Sequence, residues 1–267
     1  MTELHPAQAS ELQITPAAEI VVERHRYQIV FAIEGRIRFL SHLETVDTLL
    51  SALRRTGVRF ALSQGMKPKP LIKVAMPRPV AVEAWSDIVE VELTEMIDPD
   101  EFALALTATL PVGLTLQTIR RLDGAYASAA SRVAGATFRV HLHGDVSEEQ
   151  LTRWVAGFRA SDSIIVPRRT PKQHRDVDVR SVVADMTVVP GDPPAVRFYT
   201  RLTDEGSAKP EEVIRALTQI AGHELKSRRT IRESITLAEP GGDGRTADPA
   251  LVGADVPDGP AKPWGAC

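Results

Sequence analysis

The sequence predicts an α+β protein made of two ferredoxin-like (split β-α-β) domains in tandem. Apolar residues alternate in short segments typical of strands, and recur at three- and four-residue steps in longer segments typical of helices. These segments follow the order strand, helix, strand, strand, helix, strand, and the order occurs twice. The 267 residues are enough for two domains of ordinary size.

Composition sets the domain boundaries. The N-terminus is largely polar and the C-terminus is rich in Gly, Pro, Asp and Ala, so neither carries enough apolar surface to fold. We therefore expect disordered tails at residues 1–23 and 239–267. Domain 1 is predicted at residues 24–122, a small-residue linker at 123–136, and domain 2 at 137–238.

In domain 1, two helices are predicted from their start signals. Ser41 and Glu44 form a capping-box pattern ahead of a leucine-rich stripe, and Gly57 stands where this helix should end. Asp98 and Pro99 mark the start of the second helix, which should end at Pro111. The predicted strands are Tyr27–Ile33, Val58–Leu62, Leu71–Val82, Asp87–Leu93 and Leu114–Ile119.

Domain 2 repeats these signals. Ser147 and Gln150 form a capping-box pattern, and Pro210 opens a helix that should end near Gly222. The predicted strands are Thr137–Leu142, Ser163–Val166, Val177–Val189, Ala195–Leu202 and Leu225–Leu237, the third and fourth forming a hairpin that turns at Pro190–Asp192. In each domain we expect helices on one face of an antiparallel sheet and a free opposite face.

Residue content excludes several classes of protein. Cys267 is the single cysteine, so the body of the chain has no thiolates for a disulfide framework or an iron–sulfur cluster. Of the histidines, only His141 and His143 lie close together in the sequence, and we expect neither a metal site nor a cofactor. Neither a secretory signal nor a membrane-length apolar stretch occurs, which favours a cytoplasmic protein without membrane contact.

The net charge of −3 conceals a strong segregation of charge. Between Arg24 and Arg78 there are eleven basic residues and three acidic ones. Between Glu83 and Glu101 there are eight acidic residues and no Lys or Arg. A local basic excess is the electrostatic signature of phosphate binding. Solvated surface charge is the alternative, particularly for the second cluster, Arg168–Arg175.

The loop Ser63–Pro70 (SQGMKPKP) is the most specific feature of the basic region. Gly65 permits close approach of a ligand, and Pro68 and Pro70 bias the preceding lysines to extended conformations. A plain turn with solubilising lysines is the alternative. The predicted anion-binding residues are Arg36, Arg38, His42, Arg54, Arg55, Ser63, Gln64, Gly65, Lys67, Lys69, Lys73, Arg168, Arg169 and Lys172.

The stretch from Arg38 to Leu93 resembles the radical-SAM-linked proteins, a bacterial family of unknown function encoded beside, or fused to, a radical SAM protein. The similarity lies in Phe39–Glu44, Leu53–Arg55, the Ser63–Pro70 loop and Pro77–Pro79, and more weakly in His174–Arg180 and Ser207–Glu212. Two departures stand out: Glu44 replaces a more usual Asp, and Met66–Lys69 replaces a more usual Phe-Asn-Pro-His. The resemblance implies a cytosolic protein that works near a radical SAM partner, in genomic settings associated with RNA metabolism.

Three functions remain open at this point. The first is a non-catalytic accessory protein that binds RNA, such as tRNA or rRNA, through the basic surface of domain 1 and serves a radical SAM partner. The second is a protein–protein adaptor that docks the radical SAM protein through the acidic segment and the basic loop, without nucleic acid. The third is a metal-free ribonuclease with His42 as general base. No phosphate-loop or nucleophile-elbow motif occurs, so we expect no enzyme of those types.

Overall fold

The structure is a computed structural model that describes residues 23–124, 127–170, 173–204 and 206–238. The predicted tails lie outside these residues, except for Glu23. In the described ranges the chain forms a mixed α+β fold with ten strands and five helices, which confirms the predicted class. The helices are α1 His42–Arg55, α2 Pro99–Thr107, α3 Glu148–Ala160, α4 Val179–Val182 and α5 Pro210–Ala221. The strands are β1 His25–Ile33, β2 Ile72–Val74, β3 Val82–Leu93, β4 Leu114–Leu122, β5 Val133–Leu142, β6 Ile165–Thr170, β7 Gln173–Asp178, β8 Val183–Val189, β9 Ala195–Arg201 and β10 Ser227–Leu237.

One large sheet runs through both halves of the chain. Its strand order is β4-β1-β3-β10-β5-β9-β8, and β2 pairs with β3 beside β10. The pairs within each half are antiparallel. The halves join where β10 pairs in parallel with the start of β3, at Thr230–Arg232 against Val82–Ala84. A separate hairpin, β6–β7, is inserted in the second half.

The long helices pack on one side of this sheet. Val82 belongs to the core beneath α3 and α5, and Ala84 belongs to the core beneath α1 and α2. These two residues are two positions apart in β3, so they point to the same side of the sheet. The opposite side carries Glu83 and Trp85 of β3, and we call it the helix-free face. A small third cluster on that side includes Ala129, from the 3₁₀ turn Ala129–Arg132, and Ile235.

The predicted helix starts are confirmed in atomic detail. In α1 the Glu44 N–H donates to the Ser41 hydroxyl and the Ser41 N–H donates to the Glu44 carboxylate, which closes the capping box. Ser147 and Gln150 make the same reciprocal pair at the start of α3. Gly222 ends α5 with φ of 74°, a left-handed conformation in which glycine lacks the steric cost of a Cβ.

Several strand predictions were wrong in extent. Val58–Leu62 contributes only isolated bridges, Phe60 with Leu93 and Leu62 with Pro70. Within the predicted segment Leu71–Val82, Ile72–Val74 forms β2 and Val82 begins β3, and the stretch between them is not a strand because its prolines cannot donate to the ladder. Strand β5 begins at Val133, inside the predicted linker, since small residues pack closely there: a Cβ on Gly135 would overlap the Thr200 carbonyl oxygen.

The predicted strand Val177–Val189 is also interrupted. Asp178 accepts a hydrogen bond from the Arg180 N–H and caps the short helix α4, so β8 begins only at Val183. The hairpin of β8 and β9 around Pro190–Asp192 is confirmed. No helix in the described ranges is both long and apolar enough to cross a membrane.

Candidate functional site

The acidic segment Glu83–Glu101 pairs with part of the basic region and with an arginine from the end of the chain's second half. Asp87 accepts two hydrogen bonds from buried Arg232, at 2.9 and 2.7 Å. Glu92 lies 3.6 Å from Arg24 and 3.7 Å from Arg26, and Glu95 pairs with Arg59 at 2.7 Å. Basic and acidic residues that are separate in the sequence therefore form ion pairs in the folded protein. It also leaves fewer carboxylates in Glu83–Glu101 for the docking that the adaptor hypothesis requires.

The predicted basic residues of domain 1 do not converge on one surface. Arg36 and Arg38 follow β1, beside the start of β3, where Ile33 pairs with Ala84. Arg54 and Arg55 end α1, a helix of 14 residues whose two ends are about 20 Å apart. The predicted site is thus divided between opposite ends of α1.

The loop Ser63–Pro70 lies at the same end of the molecule as Arg54 and Arg55, because Phe60 bridges Leu93 at the end of β3. Its neck is closed by hydrogen bonds between the Ser63 N–H and the Lys69 carbonyl and between the Lys69 N–H and the Ser63 hydroxyl. Gly65 has φ of 119°, and Gln64, Lys67 and Lys69 are exposed. Met66 at the tip is fully exposed. The loop therefore projects a methionine flanked by two lysines, and in the described part of the chain those lysines make no ion pair.

The remaining predicted residues are dispersed. Lys73 of β2 lies opposite Glu90 of β3 in the strand register, on the face opposite the core residues Ile72 and Val74. Arg168 is held by the buried Glu212 at 2.6 and 2.5 Å. Arg169 lies exposed on the β6–β7 hairpin, and Lys172 lies outside the described residues.

His42 occupies the first turn of α1 and borders a small cavity of about 10 Å³ that it shares with Phe31, Arg78 and Asp87. That volume holds about one water molecule and no nucleotide. The ribonuclease hypothesis stays a prediction, but the structure adds no second catalytic group at a substrate-sized site around His42.

Arg78 ties together two of the segments that carry the resemblance, Phe39–Glu44 and Pro77–Pro79. Its buried guanidinium donates to the carbonyls of Arg38, Leu40 and Val82 and to the Thr45 hydroxyl. Residues that are far apart in the sequence are thereby fixed as one rigid corner beside the start of β3.

A group of four arginines that share two carboxylates lies on the helix-free face. Arg139 and Arg197 alternate with core residues of β5 and β9, so their side chains point away from the helices. Both donate to one carboxylate, Glu233, at 2.5 and 2.6 Å. Arg38 and Arg229 likewise share Glu83, at 3.2 and 2.5 Å. We call these six residues the central arginine cluster.

Each carboxylate of the cluster is buried and is shared by two guanidiniums. Glu83 is 4% exposed and Glu233 is 7% exposed. Four arginines therefore share two buried carboxylates, and their guanidiniums are held in fixed positions. A fixed cationic surface of this kind is suited to an anionic partner.

Trp85 adds an aromatic ring to the cluster. The guanidinium carbon of Arg139 lies 4.8 Å from the centre of the Trp85 ring, a cation–π contact. The Gln117 side chain of the edge strand β4 donates to the Trp85 carbonyl oxygen. Arg139 thus has two restraints, the ring beneath it and the carboxylate of Glu233.

His141 lies beside the cluster but adds little charge at neutral pH. Burial lowers the pKa of His141, and the nearby guanidinium of Arg229 lowers it further, although a hydrogen bond to the Pro193 carbonyl opposes this. The positive charge of this face is therefore carried by arginines, whose charge does not change in the physiological pH range.

Of the central arginine cluster, the sequence predictions included Arg38 and missed Arg139, Arg197 and Arg229 as site residues. Two signals for it were present: Arg139 and Arg197 each stand between two core apolar residues in alternating strands, and Trp85 precedes the acidic strand pattern. Alternation predicts the face of such residues, but their assembly depends on β10 lying between β3 and β5, which local patterns do not specify.

A family model described as "Uncharacterized protein conserved in bacteria (DUF2344)" matches residues 26–210. None of the curated proteins matches the sequence. Among solved structures, the chain is similar to one from a Cbf5-Nop10-Gar1 complex, with 12% identity over 77% of this chain and 48% of that chain and a TM-score of 0.43. It is also similar to an unknown protein from Galdieria sulphuraria, with 16% identity over 77% of this chain and 99% of that chain and a TM-score of 0.26. The chain spans about half the length of the first of these.

Proposed function

The chain belongs to this family of uncharacterized bacterial proteins, and from that premise we propose that it binds RNA on the helix-free face of its sheet. The observation that carries the proposal is the central arginine cluster, in which two arginines share each buried carboxylate. Fixed guanidiniums beside a half-buried aromatic ring favour a phosphate-bearing, base-bearing ligand.

The basic loop provides a second contact in this proposal. Lys67 and Lys69 are exposed on a projecting loop, and Arg54 lies at the same end of the molecule. The central arginine cluster lies at the other end of β3, near Glu83, so only an extended polyanion would reach both regions. A chain of nucleotides meets that requirement, whereas a small anion does not.

We also propose, from the resemblance to the radical-SAM-linked proteins, that the bound RNA is a substrate of a separate radical SAM partner in the cytoplasm. This chain would act as the accessory that holds the RNA. Its lack of cysteines before Cys267 supports that division, because a radical SAM cluster needs thiolate ligands from the partner.

The strand order supports a further proposal, that each half is a ferredoxin-like unit. In the first half the order is β4-β1-β3-β2, and in the second half it is β10-β5-β9-β8. If the four sheet strands of each half are numbered along the chain, both halves have the same spatial order: fourth, first, third, second. The two units would then present one shared helix-free face for a long ligand.

Filter binding of a labelled single-stranded RNA tests the RNA proposal. We expect retention at about 50 mM salt and a loss of roughly 20-fold in affinity at about 200 mM salt, because about three phosphates release their counterions on binding. Arg197→Gln with Arg229→Gln removes two of the four positive charges of the cluster while leaving each carboxylate one arginine. This double variant should bind about tenfold more weakly and show a shallower salt dependence.

A matched control removes the same charge elsewhere. Arg153→Gln with Arg159→Gln changes two exposed arginines of α3, on the helix-covered side, and should leave RNA affinity within about twofold. Lys67→Glu with Lys69→Glu measures the contribution of the loop. The absence of RNA retention by the unaltered protein, even at low salt, would rule out the proposed function.

A further inference from the structure

The chemistry around Trp85 narrows the class of RNA, and this step rests on the proposed function. We infer that the central arginine cluster takes an unpaired base, stacked on the Arg139–Trp85 pair, and therefore prefers single-stranded RNA to a duplex. The inference follows from three features of this pair: its two groups are planar, they are held rigidly, and a ligand can reach them.

Both groups of the pair are planar. The Arg139 guanidinium carbon lies 4.8 Å from the centre of the Trp85 ring, and a guanidinium plane can also stack on a second π surface. A base on Arg139 would complete a stack of base, guanidinium and indole. A lysine at this position could supply the charge but no stacking surface.

The pair is rigid because its members are held from several directions. The Arg139 Nε donates to Glu233 at 2.5 Å, and Glu233 is itself fixed by Arg197 at 2.6 Å. The Gln117 side chain of the edge strand β4 reaches past β1 and donates to the Trp85 carbonyl oxygen. The side chains therefore lose little conformational entropy when a base binds, which increases the affinity for a ligand of matching shape.

The pair is accessible because no long helix among the described residues covers this face. The Arg139 side chain is 23% exposed and the Arg197 side chain is 40% exposed, so a ligand can reach both side chains. Arg197 lies directly across from Arg139 in the β5–β9 register, at a position suited to the phosphate that follows the stacked base.

A duplex could not use these features. In A-form RNA the bases are stacked on each other and the phosphates face outward, so a duplex would reach the arginines only through its backbone. Base stacking on an aromatic or guanidinium platform requires an unpaired nucleotide. Base stacking on the Arg139–Trp85 pair therefore contributes binding energy for single strands alone.

The test compares a mixed-sequence single-stranded RNA of about 20 nucleotides with the same sequence as a duplex, by fluorescence anisotropy at one salt concentration. We expect the single strand to bind at least about tenfold more tightly, and Trp85→Ala to weaken its binding about 5- to 150-fold. Trp85→Phe retains an aromatic ring and should retain most of the preference. Arg139→Lys keeps the charge beside Glu233 and should lose the preference while binding heparin, a base-free polyanion, as before.

Tryptophan emission gives a second measurement. A base stacked against the pair should quench Trp85, and the quenching should be absent in Trp85→Phe, which retains Trp154 and Trp264. Equal affinity for single strand and duplex would overturn the inference and leave RNA binding intact. A preference that persists in both Trp85→Ala and Arg139→Lys would overturn it too, whereas failure to bind either RNA would overturn the proposed function itself.

Discussion

At the scale of single residues, buried arginines organise this protein. Arg232 is 0% exposed and its guanidinium is satisfied by Asp87 and by the carbonyls of Met76 and Pro77. The pair joins β10 of the second half to β3 of the first. An arginine in this position fixes which strands lie beside each other, because any other pairing would leave a charge buried without a partner.

Removing one member of this pair should be far more damaging than removing both. Arg232→Ala leaves the Asp87 carboxylate buried and should lower the free energy of unfolding by about 3–5 kcal/mol. Arg232→Met with Asp87→Leu replaces the pair with apolar groups and should cost much less. Urea unfolding of the three proteins measures the difference; equal losses in the single and double variants would contradict it.

At the scale of elements, helix starts couple local capping to tertiary contacts. Glu212 is the third residue of α5: it accepts from the Lys209 N–H at 2.8 Å and from Arg168 of β6. Burial alone would raise the pKa of Glu212, but these hydrogen bonds and the charge of Arg168 outweigh it and lower the pKa below the usual 4.5. One carboxylate thus caps a helix and anchors the inserted hairpin.

The lowered pKa predicts acid sensitivity. Because the folded-state pKa of Glu212 lies below its unfolded value, its stabilising contribution is complete above about pH 4.5 and is lost as pH falls through the folded pKa. Glu212→Gln should therefore be less stable than the unaltered protein at pH 7, and its stability should decline less between about pH 5 and about pH 2. Denaturant unfolding across that range checks it, with Glu211→Gln, at an exposed neighbouring position, as the control.

At the scale of the whole molecule, one sheet joins the two halves at a narrow seam. Only three residue pairs connect β3 to β10 in the ladder. Two ion pairs join the same strands, Glu83 with Arg229 and Asp87 with Arg232. Each half has its own helix-covered core on the same side of the sheet. The seam lets both halves contribute arginines to one face.

This arrangement predicts cooperative unfolding that depends on the seam. The unaltered protein should unfold in one transition, with Trp154 emission from the second half and far-UV circular dichroism from both halves changing together. In Arg232→Ala the two signals should separate, because the halves lose the buried pair that couples them. Two separate transitions in the unaltered protein would contradict the prediction.

The sequence by itself determined the four long helices of this protein, most of its strands and their order, but not the strand β7 or the short helix α4. Capping residues such as Ser41 and Ser147 act within one helical turn, and alternation acts within one strand, so local patterns specify both. It also predicted the helices on one side of the sheet. What it could not specify was how segments distant in the chain combine.

Only the tertiary structure decided where the charges meet. The sequence places eleven basic residues ahead of eight acidic ones, and grouping them as one basic surface ignored the pairing of β3 with its neighbours. Arg38, Arg139, Arg197 and Arg229 come from four separate segments and meet because β10 inserts between β3 and β5. Charge interactions depend on distance through space, which strand order sets and chain position does not.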